Sequence, residues 1–270
     1  MKVGFIGAGN MGAAIMKGAF KNGVLNPNET MVYDINHGTT EKLAQEYPLS
    51  IADSNSQIAS ECECIILAVK PQFLGAVLAE IKDCLDDDKK VISIAAGWSM
   101  DMLADALGRD NAPQLMRVMP NTPALVGEGY SAIADNTTFS ESMLSWAKEL
   151  LGSLGFVQVI SENLFDAVIA VTGSSPAYVF MLIEAMADGG VKLGMPRQTA
   201  IHAAAQAVFG SAKMVLETEQ HPAQLKDNVC SPAGTTIEAV EALEKGGFRG
   251  IILDAMDQCA EKSRKMTQNK

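Results

Sequence analysis

The 270-residue chain is 48% hydrophobic and 20% charged, which supports one large domain or two modest ones and argues against extended disorder. Its formal net charge of −11 at pH 7 would repel a phosphate backbone, so no nucleic-acid partner is expected. No apolar run reaching the ~18 residues of a membrane span is expected, nor a secretory segment at the N-terminus. The five cysteines (Cys62, Cys64, Cys84, Cys230 and Cys259) form no C-x-x-C pair, so the expectation is a cytoplasmic protein with reduced thiols and no membrane partner.

In chain order, a strand at Lys2–Ile6 runs directly into Gly7-Ala8-Gly9-Asn10-Met11-Gly12, with a helix expected from Met11 to Lys21. Strand, G-x-G-x-x-G turn and helix stand in the order that a dinucleotide pyrophosphate requires. The first glycine makes the tight turn, the second lets backbone amides approach the phosphates, and the third lets the helix pack on the strand. Further strands are predicted at Met31–Tyr33, Cys64–Val69, Val91–Ala95, Gln114–Met119, Ser131–Ala134 and Val157–Ile160. Helices are predicted at Glu41–Glu46, Phe73–Ile81 and Ser140–Leu150. This alternation argues an α/β Rossmann domain with a doubly wound, mainly parallel sheet. Asp86-Asp87-Asp88 reads as a solvated acidic turn. His37, His202 and His221 are too scattered for zinc, so no metal site is expected.

From Glu162 the strand signals stop. Ser175-Pro176 opens a helix, Gly194-Met195-Pro196 breaks it, and Ala200–Glu217 is a long alanine-rich helix. Ser231–Thr236 opens another helix, Gly246-Gly247 stops it, and Phe248–Arg264 is the last. A boundary near residue 161 divides the chain into a dinucleotide-binding domain (1–161) and an all-α domain (162–270). Alanine-rich helices can approach closely and methionine fills irregular gaps, so a homo-oligomer is expected.

Asp34 ends the second strand about 20 residues beyond Gly12, the spacing of an acid that binds the adenosine ribose. Its carboxylate favours NADH over NADPH by like-charge repulsion of a 2′-phosphate, although Asn36 and His37 stand close enough to bond one. Ala68-Val69-Lys70-Pro71 and Ala95-Ala96-Gly97 end later strands along the same crevice, with Lys70 either at the surface or at the cofactor. Asn121 and Thr122, fixed between Pro120 and Pro123, either hold a nicotinamide amide or form a connecting turn. The segment from His221 to Thr236 ends in a small-residue loop with free amides, which suits a small carboxylate. Ser231, Thr235 and Thr236 add hydroxyls there; the alternative is an ordinary helix cap. Lys226 is a rival anchor, or a solvated helix residue. Thr172–Tyr178 is a second small-residue loop, read as a cap or a packing contact.

Together Gly7–Gly12, Ala68–Pro71, Ala95–Gly97, Pro120–Pro123, His221-Pro222 and Leu225–Thr236 resemble the Δ1-pyrroline-5-carboxylate reductase family, in order and over essentially the whole chain. The resemblance implies reduction of 1-pyrroline-5-carboxylate to L-proline with NADPH or NADH, the last step of proline synthesis. It also implies a Rossmann domain followed by a helical dimerisation domain, with interlocked homodimers assembling into rings. By position, cofactor contacts fall on Ile6, Gly7, Ala8, Gly9, Asn10, Met11, Asp34, Asn36, Asn55, Ala68, Val69, Lys70, Pro71, Ala95, Ala96 and Gly97, with Glu162 and Asn228 as weaker carry-overs. Substrate contacts fall on Ser231, Gly234, Thr235 and Thr236, with Glu219 as helper. Thr236, bonded to the ring nitrogen, is the expected catalytic residue. Two positions depart from the family's pattern. The loop usually reads Ser-Pro-Gly-Gly, but Ala233 replaces its first glycine, and many members carry Ser, Asn or Arg in place of Asp34. The rival readings are a β-hydroxyacid dehydrogenase, which would need a catalytic lysine such as Lys192 or Lys213, and an NAD(P)H-sensing regulator without turnover.

Overall fold

The computed structural model describes residues 1–108 and 113–268. Its first half alternates as the apolar pattern demands: β1 (Val3–Ile6), α1 (Asn10–Lys21), β2 (Thr30–Tyr33), α2 (His37–Glu46), β3 (Ser50–Ile51), α3 (Asn55–Glu61), β4 (Cys64–Leu67), α4 (Pro71–Ile81) and β5 (Lys90–Ser93). Then come α5 (Met100–Leu107), β6 (Gln114–Pro120), β7 (Gly129–Ala134), α6 (Glu141–Gly152) and β8 (Gly155–Ile160). Three of these, β3, α3 and α5, were not expected. β3 is a two-residue edge strand, and α3 and α5 are short helices that start at the side-chain caps Ser54 and Ser99.

The strands form one sheet in the order β3-β2-β1-β4-β5-β6-β7-β8. Every adjacent pair is parallel except β6 with β7. The order reverses between β1 and β4, so the ends of these two strands flank a crevice. Both sheet faces are covered, which is why β1 and β4 are apolar throughout. Ile6, Ile65 and Leu67 pack with Leu74, Leu78 and Ile81 on one side. Val3, Phe5 and Ile66 pack with Ile15, Met16, Leu150 and Leu151 on the other. Each such fully buried side chain contributes about 1.5–3 kcal/mol.

The helical half comprises α7 (Phe165–Val168), a π turn at Ile169–Gly173, α8 (Ser175–Lys192), α9 (Arg197–Thr218), α10 (Pro222–Val229), α11 (Thr235–Lys245) and α12 (Phe248–Gln268). The compact units do not divide at residue 161. One comprises Met1–Gly173 with the chain from Cys259 onward, and the other is Ser174–Gln258. Burial explains the shift: Phe165 and Val168 belong to the core of the sheet. Ser263 of α12 donates to Asp166 Oδ1 at 2.5 Å, which ties the end of the chain to the same unit.

Within the second unit α8 and α9 lie close enough that a Cβ on Gly190 would come within 3.0 Å of Ala200 Cβ. This unit leaves many large apolar side chains exposed, among them Phe180, Met181, Phe209 and Leu216. The stretch Glu162–Lys192 reaches a mean hydropathy of 1.5 over its best window, so by length and composition one helical stretch among the described residues is apolar enough to cross a membrane. This corrects the expectation that no apolar stretch of that length exists. The small polar residues from Thr172 to Ser175 break the run without lowering its average below that level.

Candidate active site

The glycine turn is built by steric necessity. Gly7 has φ +105°, and a Cβ there would sit 2.6 Å from the Ala68 carbonyl oxygen. A Cβ on Gly12 would sit 2.4 Å from the Gly7 carbonyl oxygen, so only glycine lets α1 start this close to the turn. A Cβ on Gly9 meets nothing within 4 Å. The space beside the amides that open α1 is therefore free, and an anion placed there would meet the positive end of the helix. The Gly7 amide donates to the Tyr33 carbonyl at 2.8 Å, and the Ala68 amide donates to the Ile6 carbonyl at 2.8 Å. The ends of β1, β2 and β4 are thereby tied together around the turn.

Asp34 was expected to read the ribose. Both of its carboxylate oxygens already hold backbone: Oδ2 accepts from the Ala8 amide at 2.7 Å and Oδ1 from the Asn36 amide at 2.8 Å. Asp34 thus locks the glycine turn to the end of β2, and each oxygen keeps lone-pair capacity for a ribose hydroxyl. A cavity of about 310 Å³ adjoins it, bounded by Ile6, Gly7, Asp34, Asn55, Val69 and, from α4, Phe73 and Glu80. Ile35 and Phe73 are 88% and 58% exposed at this cavity, unusual for side chains of their size, and offer apolar faces to a flat base. Five of the expected cofactor residues therefore meet in one place. The α4 side chains were missed, although Phe73, Ala76, Val77 and Glu80 recur at i, i+3, i+4 and i+7, the signature of one helix face. The residues present fit a dinucleotide at the crevice.

Among the other candidates, Lys70 is exposed before α4, while Ala95 and Gly97 are buried. Gly97 has φ +70°, and a Cβ on it would meet Met266 Cβ at 3.2 Å. The Asn121 side chain is engaged on both sides: Nδ2 donates to the Thr172 carbonyl at 3.0 Å, and Oδ1 accepts from the Tyr130 amide at 2.8 Å. It braces the turn after β6, whereas Thr122 is exposed and begins a 3₁₀ turn.

Glu162 lines a different cavity, of about 350 Å³, with Arg117, Asp166 and Arg264. Its Oε1 accepts from Arg117 Nη1 at 2.7 Å and from the Met100 amide at 2.8 Å, and its Oε2 accepts from Asn136 Nδ2 at 2.7 Å. Burial pushes the Glu162 carboxyl up, but the three hydrogen bonds and the Arg117 charge outweigh it and hold the group below the usual carboxylate range. Arg117 also stacks on Phe165, 4.3 Å from the ring centre. Of the thiols, burial pushes Cys62 up to about 11 and Cys64 further, which makes both poor nucleophiles.

In the second unit the segment from Glu219 to Thr236 contains both of the non-glycine residues found at positive φ among the described residues, Glu219 at 54° and Ala233 at 55°. Ala233 adopts the left-handed bend that its family-typical glycine would make freely. The Ser231-Pro232-Ala233-Gly234 loop closes through the Gly234 amide, which donates to the Ser231 carbonyl at 3.0 Å. A Cβ on Gly234 would come within 2.2 Å of Ser231 Oγ, so this glycine makes room for the hydroxyl. Gly234 caps α11, and Thr235 and Thr236 form its first turn. Lys226 is half-exposed and paired with Asp227 at 2.7 Å, and the aspartate raises its pKa. Asn228 accepts from Gln224 along α10. Lys192 and Lys213, the rival catalytic lysines, are both exposed, and Lys213 pairs with Glu217 at 3.4 Å.

Comparison with known proteins adds independent findings. The family described as pyrroline-5-carboxylate reductase dimerisation matches residues 162–266, and that described as NADP oxidoreductase, coenzyme F420-dependent, matches residues 2–97. A pyrroline-5-carboxylate reductase of Escherichia coli (strain K12) is 46% identical over 99% of this chain and 99% of its own length. One from Methanosarcina acetivorans is 42% identical over 98% of this chain and 97% of its own. The crystal structure of Plasmodium falciparum pyrroline carboxylate reductase with NADP bound superposes with a TM-score of 0.89 at 33% identity, covering 99% of this chain and 98% of that one.

Proposed function

The chain belongs to the pyrroline-5-carboxylate reductase family, and from that premise we propose that it reduces 1-pyrroline-5-carboxylate to L-proline at the expense of NADPH or NADH, closing proline synthesis. The observation that carries this reading is the coexistence on one chain of a glycine turn that leaves no room for a side chain at Gly7 or Gly12 and a small-residue loop that opens α11, the one suited to a dinucleotide and the other to a small carboxylate.

When bound, the dinucleotide would supply the hydride for the imine carbon. The chain's own contribution is binding and orientation. Cofactor contacts are assigned to Ile6–Met11, Asp34, Asn36, Asn55, Ala68–Pro71, Ala95–Gly97, Asn121 and Thr122, with Glu162 and Asn228 as minor ones. The Thr235 amide and the Ser231 hydroxyl would hold the substrate carboxylate beside Gly234, whose own amide closes the loop and whose missing side chain leaves room for that hydroxyl, with Glu219 as a helper, and so select the face of the ring that reacts. The Thr236 hydroxyl is too weak an acid to protonate an imine unaided. It would bond the ring nitrogen, orienting a protonated iminium or passing on a proton from water.

The assembly proposed is a homodimer built through the helical unit and then rings of dimers. The apolar side chains exposed on that unit support it, and gel filtration with light scattering tests it. A cytoplasmic site of action with no nucleic-acid or membrane partner completes the proposal. The deciding assay mixes purified protein, pyrroline-5-carboxylate and NADH or NADPH and follows loss of nicotinamide absorbance. No substrate-dependent oxidation of either cofactor would overturn the function. A β-hydroxyacid dehydrogenase or a cofactor sensor has no comparable support, since no lysine is placed in a motif and a sensor needs no second loop.

A further inference from the structure

The cavity beside the glycine turn carries an electrostatic bias against one of the two cofactors. Two carboxylates line it, Asp34 from the end of β2 and Glu80 from α4, and no lysine or arginine is among its lining residues. Of its neutral side-chain donors, Asn55 and Tyr33, the first is turned to a carboxylate, because Asn55 Nδ2 donates to Glu80 Oε2 at 2.8 Å. Asn55 itself is 9% exposed, so its amide is held in that orientation by packing. The amides of Ala8 and Asn36, which could otherwise meet an anion at this corner, are spent on Asp34. A ribose hydroxyl can donate to such a group of acceptors, whereas a 2′-phosphate brings close to two negative charges and only acceptor oxygens.

We infer that this chain selects NADH over NADPH, and that Glu80 is a specificity-determining residue acting together with Asp34. Glu80 discriminates in two ways: by its own charge, and by keeping the Asn55 amide turned away from the ligand. The inference rests on the dinucleotide reading of the crevice and adds the choice of cofactor to it. Like charges a few ångströms apart at a protein surface weaken binding on the order of tenfold or more.

The test is calorimetric titration of the full-length protein with NAD⁺ and with NADP⁺, repeated for Glu80→Gln and Asp34→Ser. NAD⁺ should bind the unaltered protein at least about tenfold more tightly. Glu80→Gln should narrow that ratio severalfold, chiefly by improving NADP⁺. Asp34→Ser should narrow it too while weakening both ligands, because it also releases the Ala8 amide. Titrating with adenosine 2′-monophosphate and adenosine 5′-monophosphate provides a second readout that does not depend on the nicotinamide. Equal or tighter binding of NADP⁺ by the unaltered protein, or an unchanged ratio in folded Glu80→Gln, overturns the inference and leaves the enzymatic reading standing. Binding of neither dinucleotide overturns the enzymatic reading and this inference with it.

Discussion

The ion pair between Arg117 and Glu162 sets up a quantitative test of what holds the first unit together. Its side chains are 7% and 18% exposed, and it joins β6, the start of α5 and the end of β7 through one carboxylate. Replacing Arg117 by Met removes the guanidinium and leaves the carboxylate with two neutral donors, Met100 N and Asn136 Nδ2. Breaking one side of such a pair costs about 3–5 kcal/mol. For a unit of this size that is a fall in melting temperature of roughly 6–20 °C.

The pH dependence follows from the direction of the shift. Glu162 is held below its unfolded value, so its contribution is present above about pH 4.3 and is lost as the pH falls through its lower folded pKa. In Arg117→Met burial acts without the arginine to oppose it, so the carboxyl rises and protonates first. The stability gap between variant and parent should therefore be widest near neutral pH and should shrink toward pH ~4. Differential scanning fluorimetry from neutral to acid pH measures both. A loss below about 1 kcal/mol at neutral pH, or a gap that does not close on acidification, would refute the reasoning. The double variant Arg117→Met with Glu162→Leu should lose less than Arg117→Met alone, because no uncompensated charge remains.

Ala233→Gly should relieve about 1–2 kcal/mol of left-handed strain, offset by about 0.4–1 kcal/mol of added freedom in the unfolded chain, for a net gain near 1 kcal/mol. Thermal melting checks it, and any destabilisation contradicts the strained bend. Gly12→Ala should abolish dinucleotide binding with the fold retained, since its Cβ would press to 2.4 Å on the Gly7 carbonyl; tight binding in a calorimetric titration would mean that the turn adapts. Thr236→Ala should lower turnover roughly 10²–10⁴-fold with KM much less affected, and near-parental steady-state rates would reject its role at the ring nitrogen.

Much of the site was legible because local rules specify it. Gly7, Gly9 and Gly12 sit at fixed spacing between an apolar run and a helix, and at Gly7 and Gly12 the packed backbone leaves no room for a side chain, as their positions imply. The Ser231–Thr236 loop announced itself through small residues before a helix. Glu80 and Ile35 were not legible, since their part in the cavity depends on how α4 and the end of β2 face each other. Asn121 shows the same limit. Its setting between prolines marks a rigid turn, but only the packed structure shows that Nδ2 donates to the Thr172 carbonyl and that Oδ1 accepts from the Tyr130 amide.

The amino-acid sequence alone determined the main strand and helix periods, the glycine turn, the acid after the second strand and the small-residue loop that opens α11, because hydrophobic spacing and backbone sterics act over a few neighbouring residues. Only the tertiary structure decided that residues 165–173 and the end of α12 belong with the sheet, that Glu162 is bound to Arg117, and that Asp34 is shared with the glycine turn. Those outcomes depend on which groups far apart in the chain compete for the same burial and the same hydrogen bonds, and folding alone settles that competition.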